Sequence, residues 1–268
     1  MPDSPSRIPH GIDTSEPHSA RIYDFWLGGK DHYPVDRAVG EQIRSALPVI
    51  GDMAVKNRAF LKRAVRFLAR ERGVRQFLDV GTGLPTADNT HEVAQATAPD
   101  CRVVYVDHDP LVLAHARALL TSTPEGRTAY VDADLRDPET VLREASRTLD
   151  LSRPVALTLL GVLFHVPDDS AYTIVRDLMA ALAPGSYVVL THATDVVTGP
   201  AMREAVRQWN EAASVPITLR APAQIERFFQ GLEPVEPGLV SLPLWRPDAS
   251  QVGTPQEIDE FGGVAYRP

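Results

Sequence analysis

The chain of 268 residues holds a single cysteine, Cys101, so it can close no intramolecular disulfide and build no thiolate metal cluster, which fits a reducing compartment. It also lacks long apolar runs: none approaches the ~20 residues of a spanning helix, and the first 20 residues carry no apolar signal-peptide core. The expectation is a cytoplasmic protein with no membrane partner. The eight histidines show no H-E-x-x-H or comparable ligand spacing, so no catalytic metal is expected. Positive charge is short as well. Lys and Arg number 27 against 35 Asp and Glu, a net charge of -8 spread along the chain, which removes the electrostatic footprint that nucleic acid requires. A small-molecule substrate is the expected partner, and nothing bears on oligomeric state.

What is present is a β-α-β rhythm. Short apolar segments at Gln76–Val80, Arg102–Val106, Thr128–Val131, Val155–Leu160 and Ser186–His192 read as buried strands. Helical patterns lie between them across Asp88–Ala98, Pro110–Leu120, Pro138–Leu149 and Ser170–Leu182. That alternation predicts a parallel sheet covered by helices on both faces. Ahead of it, residues 1–18 are rich in Pro, Ser and charge and read as a flexible tail. Residues 19–75 read as an N-terminal helical lid segment, with a helix over Met53–Arg72 stopped by Gly73. Behind the fifth strand come inserted helices at about 199–230, Ala201–Ala213 and Ala223–Phe229. Two late strands, Leu239–Trp245 and Gly263–Tyr266, would close the sheet as an antiparallel pair.

The segment FLDVGTGLPT, Phe77 to Thr86, ends a strand on an acid and bends through two glycines. In an open α/β sheet ligands bind outside the carboxyl ends of the strands, and Gly81 and Gly83 would let the backbone approach one closely. A carboxylate at Asp79 suits a cationic amino group better than a pyrophosphate. Alone, the pattern is equally compatible with a strand-to-helix turn that binds nothing. Asp107 lies 24 residues beyond Gly83 at the next strand end, near the roughly 20-residue spacing at which an acid takes ribose hydroxyls. Its neighbour Asp109 reads as the cap of the following helix. In YVDADLRDP, Asp132 or Asp134 is positioned for the exocyclic amine of adenine, with Asp134 the choice, Leu135 packing on the ring and Asp137 capping the next helix. Thr82 and His108 fall inside the same two loops. NAD remains an alternative ligand, since Asp107 serves either nucleotide.

The series FLDVGTGLPT, VVYVDHDP, YVDADLRDP, LTLLGVLFHVPD and LAPGSYVVLTH resembles the successive motifs of class I S-adenosylmethionine-dependent methyltransferases over about Gln76 to His192. With SARIYDFWLGGKDHYPVDR, LVSLPLWRP and FGGVAYRP added, nearly the whole chain is similar to an actinobacterial group of S-adenosyl methyltransferases first known as a domain of unknown function. The resemblance implies a Rossmann-like methyltransferase fold at 76–268, a seven-stranded, mostly parallel sheet whose last strand is antiparallel, and S-adenosyl-L-methionine as cofactor. The sequence departs from the pattern at Leu84-Pro85, where a third glycine usually stands; Pro85 is read as near the helix start, where a proline at the first helical position loses no intrahelical bond.

Among the remaining candidates, Arg21 and Lys30 offer cations for the methionine carboxylate. Tyr23 and Trp26 offer aromatic faces for the sulfonium. Gly161 lies in the loop that in such methyltransferases runs beside the transferring methyl, and His165 in that loop and Tyr23 are the candidate catalytic residues. His192 is a further candidate base; neither histidine has an obvious orienting carboxylate in sequence, although Asp168 lies near His165 and Asp195 near His192. The expected activity is methyl transfer to a small molecule; a non-catalytic S-adenosylmethionine-binding regulatory module and an NAD-binding oxidoreductase are the alternatives.

Overall fold

Three helices precede the first strand: α1 (Ser19–Trp26), α2 (Pro34–Ala46) and α3 (Ile50–Glu71). The structure, a computed structural model, describes residues 13–119, 121–213, 215–248 and 255–268. Most of the expected tail and Leu120 of the expected helix therefore lie outside the described residues. Phe60, Ala64, Val65 and Leu68 recur on one stripe of α3 and are fully buried, the larger ones contributing about 1.5–3 kcal/mol each. The helix stops at Arg72, and Gly73 follows in the left-handed region at φ +67°, as the sequence predicts.

The alternating units follow as β1 (Gln76–Val80), α4 (Thr90–Thr97), β2 (Arg102–Asp107), α5 (Pro110–Leu119), β3 (Arg127–Asp132), α6 (Pro138–Ala145), β4 (Ala156–Leu160), α7 (Asp168–Ala181) and β5 (Tyr187–Ala193). The period of two sorts their side chains between two faces. Phe77, Val103, Tyr105, Ala156 and Val189 pack with α1–α4, while Leu78, Val80, Val104, Val106, Leu157, Leu159 and Leu190 pack with α6 and α7. Then come α8 (Pro200–Ala212), α9 (Pro222–Glu226), β6 (Glu233–Pro234), β7 (Val240–Ser241) and β8 (Glu260–Tyr266).

The strand order is β3-β2-β1-β4-β5-β8-β6, with β7 also on β8. The first five strands are parallel, and β8 runs antiparallel to β5. The chain winds outward in opposite directions from β1 and β4, so the switch point lies between their carboxyl ends. This is the expected Rossmann-like methyltransferase layout, with eight strands among the described residues rather than seven. The late elements differ in extent. Leu239–Trp245 pairs only at Val240–Ser241, because Pro243 lacks an amide for a ladder and the chain turns into a 3₁₀ helix over Leu242–Leu244. The closing strand begins at Glu260, three residues before Gly263, and β6 has no counterpart in the sequence reading.

Candidate active site

The turn after β1 is built on two left-handed glycines. Gly81 has φ +76°, and any Cβ there would collide with Val162; Gly83 has φ +65° with nothing among the described residues within 4 Å of its Cβ position, leaving an open cradle. Gly83 N–H donates to Asp107 Oδ2 at 3.0 Å, and Asp109 N–H donates to Asp107 Oδ1 at 3.0 Å. Burial pushes the Asp107 carboxyl up, while those two amides pull it back. Asp79 is buried at the end of β1, where Thr90 and Thr158 hydroxyls donate to its oxygens at 2.6 and 2.8 Å. Burial likewise raises its pKa, so a cation in the cleft would stabilise its charged form. The Thr82 hydroxyl bonds the Asp79 carbonyl at 3.2 Å.

Pro85 is not at the helix start. Residues Leu84–Asn89 form a loop, and α4 begins at Thr90 because Asn89 supplies a better cap: Glu92 Oε2 accepts the Asn89 amide at 2.7 Å in a capping box.

Along the carboxyl edge of the sheet, Asp134 and Leu135 line the cleft, and Asp132 is exposed outside it. Asp134 is held by Arg136, whose Nε lies 3.0 Å from both carboxylate oxygens, and hydrogen bonds from Arg136 lower its pKa. Asp109 Oδ1 accepts Leu111 N–H at 2.8 Å at the start of α5, and Asp137 accepts Thr140 N–H at 3.1 Å at the start of α6, the two capping roles read from the sequence. His108 stands at the exposed rim.

The expected cations are elsewhere. Arg21 is buried with its Nε 2.9 Å from Asp36 Oδ2 and donates to the Asp13 and Glu16 carbonyls, a structural anchor for α1. Lys30 is exposed and does not line the cleft. Arg58 does. One arm of its guanidinium donates to the Ala87 and Asp88 carbonyls at 3.1 and 3.0 Å, while its buried Nε has no partner among the described residues. Its charge is felt at Asp79.

Past Gly161 the cleft, about 540 Å³ in all, widens between apolar walls. Phe164, His165, Trp209 and Trp26 follow one another with ring centroids 4.6, 6.1 and 5.9 Å apart, and Ile43, Leu47 and Met53 complete that side. His165 Nδ1 donates to the Pro216 carbonyl at 3.1 Å, which leaves Nε2 unprotonated, and burial lowers its pKa. Tyr23 donates to the Ala54 carbonyl at 3.2 Å, and burial raises its pKa, so it stays protonated. Asn57 Nδ2 donates to Glu260 Oε1 at 2.7 Å, and Gly161 N–H donates to Thr191 Oγ1 at 2.9 Å beside them. Burial pushes Glu260 up to about 8. His192 lies outside this lining: its Nδ1 donates to the Ala193 carbonyl at 2.8 Å and its Nε2 accepts from Arg220 at 2.6 Å. Arg220 links it to Asp168, whereas Asp195 pairs with Arg203.

Sequence reasoning missed Arg58, Asn57 and Glu260. Asn57 leaves a signal, a polar residue between Ala54 and Phe60 on the buried stripe of α3. Glu260 falls in a polar stretch unless the strand is extended back by period two from Val264 and Gly262.

A model of the S-adenosyl methyltransferase family matches residues 5–268. The chain belongs to that family. A DUF574 family protein from Streptomyces avermitilis is 46% identical, with a TM-score of 0.91 over 96% of this chain and 99% of that one. A Thermobifida fusca protein provisionally assigned as a methyltransferase is 42% identical, with a TM-score of 0.89 over 98% and 99% of the two chains. A Mycolicibacterium paratuberculosis protein provisionally named an S-adenosyl-L-methionine-dependent methyltransferase is 30% identical over 131 residues, 47% of this chain and 40% of that protein. The matches to such curated relatives span at most half of their length. The cofactor of the S-adenosyl methyltransferase family is S-adenosylmethionine, and among the described residues no three metal-ligating side chains converge and no helix is long and apolar enough to cross a membrane.

Proposed function

We propose that this cleft binds S-adenosylmethionine and that the chain transfers its methyl group to a small molecule held in the apolar chamber. The observation that carries the reading is Asp79: a buried carboxyl raised by burial, given hydroxyl donors and, among the described residues, no ion pair, in a cleft that continues to Asp107 on one side and to apolar walls on the other. Such a group fits the ammonium of an amino acid moiety and disfavours the pyrophosphate of NAD. The open cradle at Gly83 and the guanidinium of Arg58 on the cleft wall fit the same ligand, the first by close backbone approach and the second by its charge toward the methionine carboxylate.

In this assignment Asp107 accepts the ribose hydroxyls, Asp134 accepts the adenine amine in exchange for part of its contact with the exposed Arg136, and Leu135 packs on the ring with His108 at the rim. Gly81, Thr82 and Gly83 surround the methionine moiety, and Gly161 borders the sulfur. The cofactor supplies an electrophilic methyl group on a sulfonium. The protein's contribution is to hold the acceptor in line with it, an entropic effect able to supply about 7–11 kcal/mol of the barrier. Helices α1 and α2 act as a lid: Trp26, Ile43 and Leu47 wall the chamber, and His18 ahead of α1 reaches Asp109 at 3.2 Å. Tyr23 and His165 face the acceptor end. The enclosed apolar walls and the net charge of -8 support a small molecule over nucleic acid. The single cysteine, which can form no intrachain disulfide, supports a cytoplasmic location.

Calorimetric titration with S-adenosylhomocysteine tests the reading. Saturable binding with one site per chain is expected. Absence of heat with S-adenosylhomocysteine, alongside saturable NAD binding, would overturn it.

A further inference from the structure

Resting on that reading, we propose that Glu260 is the proton acceptor of the transfer and that the acceptor substrate is a neutral, flat, apolar molecule bearing a hydroxyl group. Glu260 opens β8 opposite Ala193 at the carboxyl end of β5 and lines the cleft while only 6% exposed. Asn57 orients it through Oε1 at 2.7 Å. The same Asn57 amide nitrogen lies 3.5 Å from where a Gly161 Cβ would be, and Thr191 ties the Gly161 amide to the cluster. Asn57 therefore bridges the loop at the end of β4 and a buried carboxyl on the acceptor side. Asp24, also at this end of the cleft, is committed to the Asp31 amide and His32 at 2.9 and 3.2 Å.

Charge decides the substrate class. A carboxylate beside a sulfonium makes a neutral pair in a low-dielectric chamber. As the hydroxyl oxygen forms its bond to the methyl carbon, the carbon–sulfur bond breaks with its electron pair left on sulfur, and the hydroxyl proton passes to Glu260. The products are an ether, a thioether and a carboxylic acid, all uncharged. A reaction that cancels two opposite charges is favoured where charges are poorly solvated. His165 would instead end as an imidazolium in a site that already disfavours its charge. An ammonium substrate would place a second positive charge against the sulfonium. The raised pKa of Glu260 adds proton affinity suited to a phenol.

The test uses the full chain saturated with sinefungin, an analogue whose ammonium group keeps a positive charge where the sulfonium would stand, and three probes, 2-naphthol, 2-methoxynaphthalene and 2-naphthylmethylamine, titrated by calorimetry at pH 8.5. The expected result is 2-naphthol at least tenfold tighter than either analogue, with naphtholate fluorescence reporting proton transfer to a nearby base. Glu260→Gln keeps an oxygen for Asn57, so it should retain S-adenosylhomocysteine affinity while losing both the preference and the naphtholate emission. As a control independent of folding, wild-type emission should fade between pH 8.5 and pH 6 as the carboxyl protonates; Tyr23, Asp24, Arg58, Asp79 and His165 are the other ionisable groups on this stretch of cleft. Tighter binding of the amine, a preference that survives in Glu260→Gln, or no binding of any probe would overturn the proposal. Failure to bind S-adenosylhomocysteine would instead overturn the reading beneath it.

Discussion

Asp107 Oδ2 accepts the Gly83 amide at 3.0 Å, so the acid at the end of β2 and the glycine turn after β1 are tied to each other directly. One carboxylate thus serves two purposes in the proposed site, shaping the cradle and receiving ribose hydroxyls. Charge-assisted hydrogen bonds contribute about 1.5–3 kcal/mol each. Asp107→Ala should lose roughly 100-fold in S-adenosylhomocysteine affinity. Asp107→Asn retains an oxygen for Gly83 and should lose about tenfold. Calorimetry with both variants checks this, and wild-type affinity in Asp107→Ala would remove Asp107 from the site.

Arg58 rather than Arg21 is assigned to the methionine carboxylate, and a ligand pair separates them. Arg58→Ala should weaken S-adenosylhomocysteine about tenfold yet leave 5′-methylthioadenosine, which lacks the carboxylate, unchanged. Arg21→Ala should lower the melting temperature by breaking the buried pair with Asp36. If Arg58→Ala weakened both ligands equally, its role would lie in shaping the loop at Ala87 and Asp88.

The parallel core was legible because strands buried on both faces read as continuous apolar runs, and β1 begins and ends where QFLDV does. Asp109 and Asp137 as caps were legible for a different reason, since capping is local in sequence. What sequence could not order was long-range choice. Several cations stand near the first turn of chain, and only the packing of α3 against the sheet selects Arg58 over Arg21 and Lys30. Asn57 and Glu260 are 203 residues apart, and no local pattern pairs them. Pro85 misled because a proline beside a glycine turn suits a helix start, whereas Asn89 and Glu92 supply the stronger cap further on.

Arg220 should prove a fold determinant. It is 1% exposed and donates to Asp168, to the Leu163 and Val166 carbonyls and to His192, stapling the segment that carries His165. Arg220→Met takes from the buried Val166 carbonyl and His192 Nε2 the partner each has among the described residues and should destabilise the protein by about 3–5 kcal/mol, lowering the melting temperature by roughly 10 °C. Arg220→Lys should recover little, because an ammonium lacks the planar fork. A melting temperature within 2 °C of wild type, taken as roughly 1 kcal/mol or less, would contradict this.

Glu260 and His192 give stability opposite pH dependences. The folded-state value of Glu260 is raised, so between pH 4.5 and about 8 the native state keeps a proton that the unfolded chain has released. Its contribution is full below pH 4.5 and is lost as pH rises through about 8. Burial lowers His192 from 6.5 to about 4, so the unfolded chain binds the extra proton and stability falls as pH drops through that window. Glutamine at 260 has no such linkage. The melting temperature of Glu260→Gln relative to wild type should therefore rise from pH 5 to pH 8, with a linkage of at most about 5 kcal/mol for full desolvation. Differential scanning calorimetry at the two pH values reads it directly, and an equal difference at both would mean that Glu260 titrates in the fold as it does in the unfolded chain.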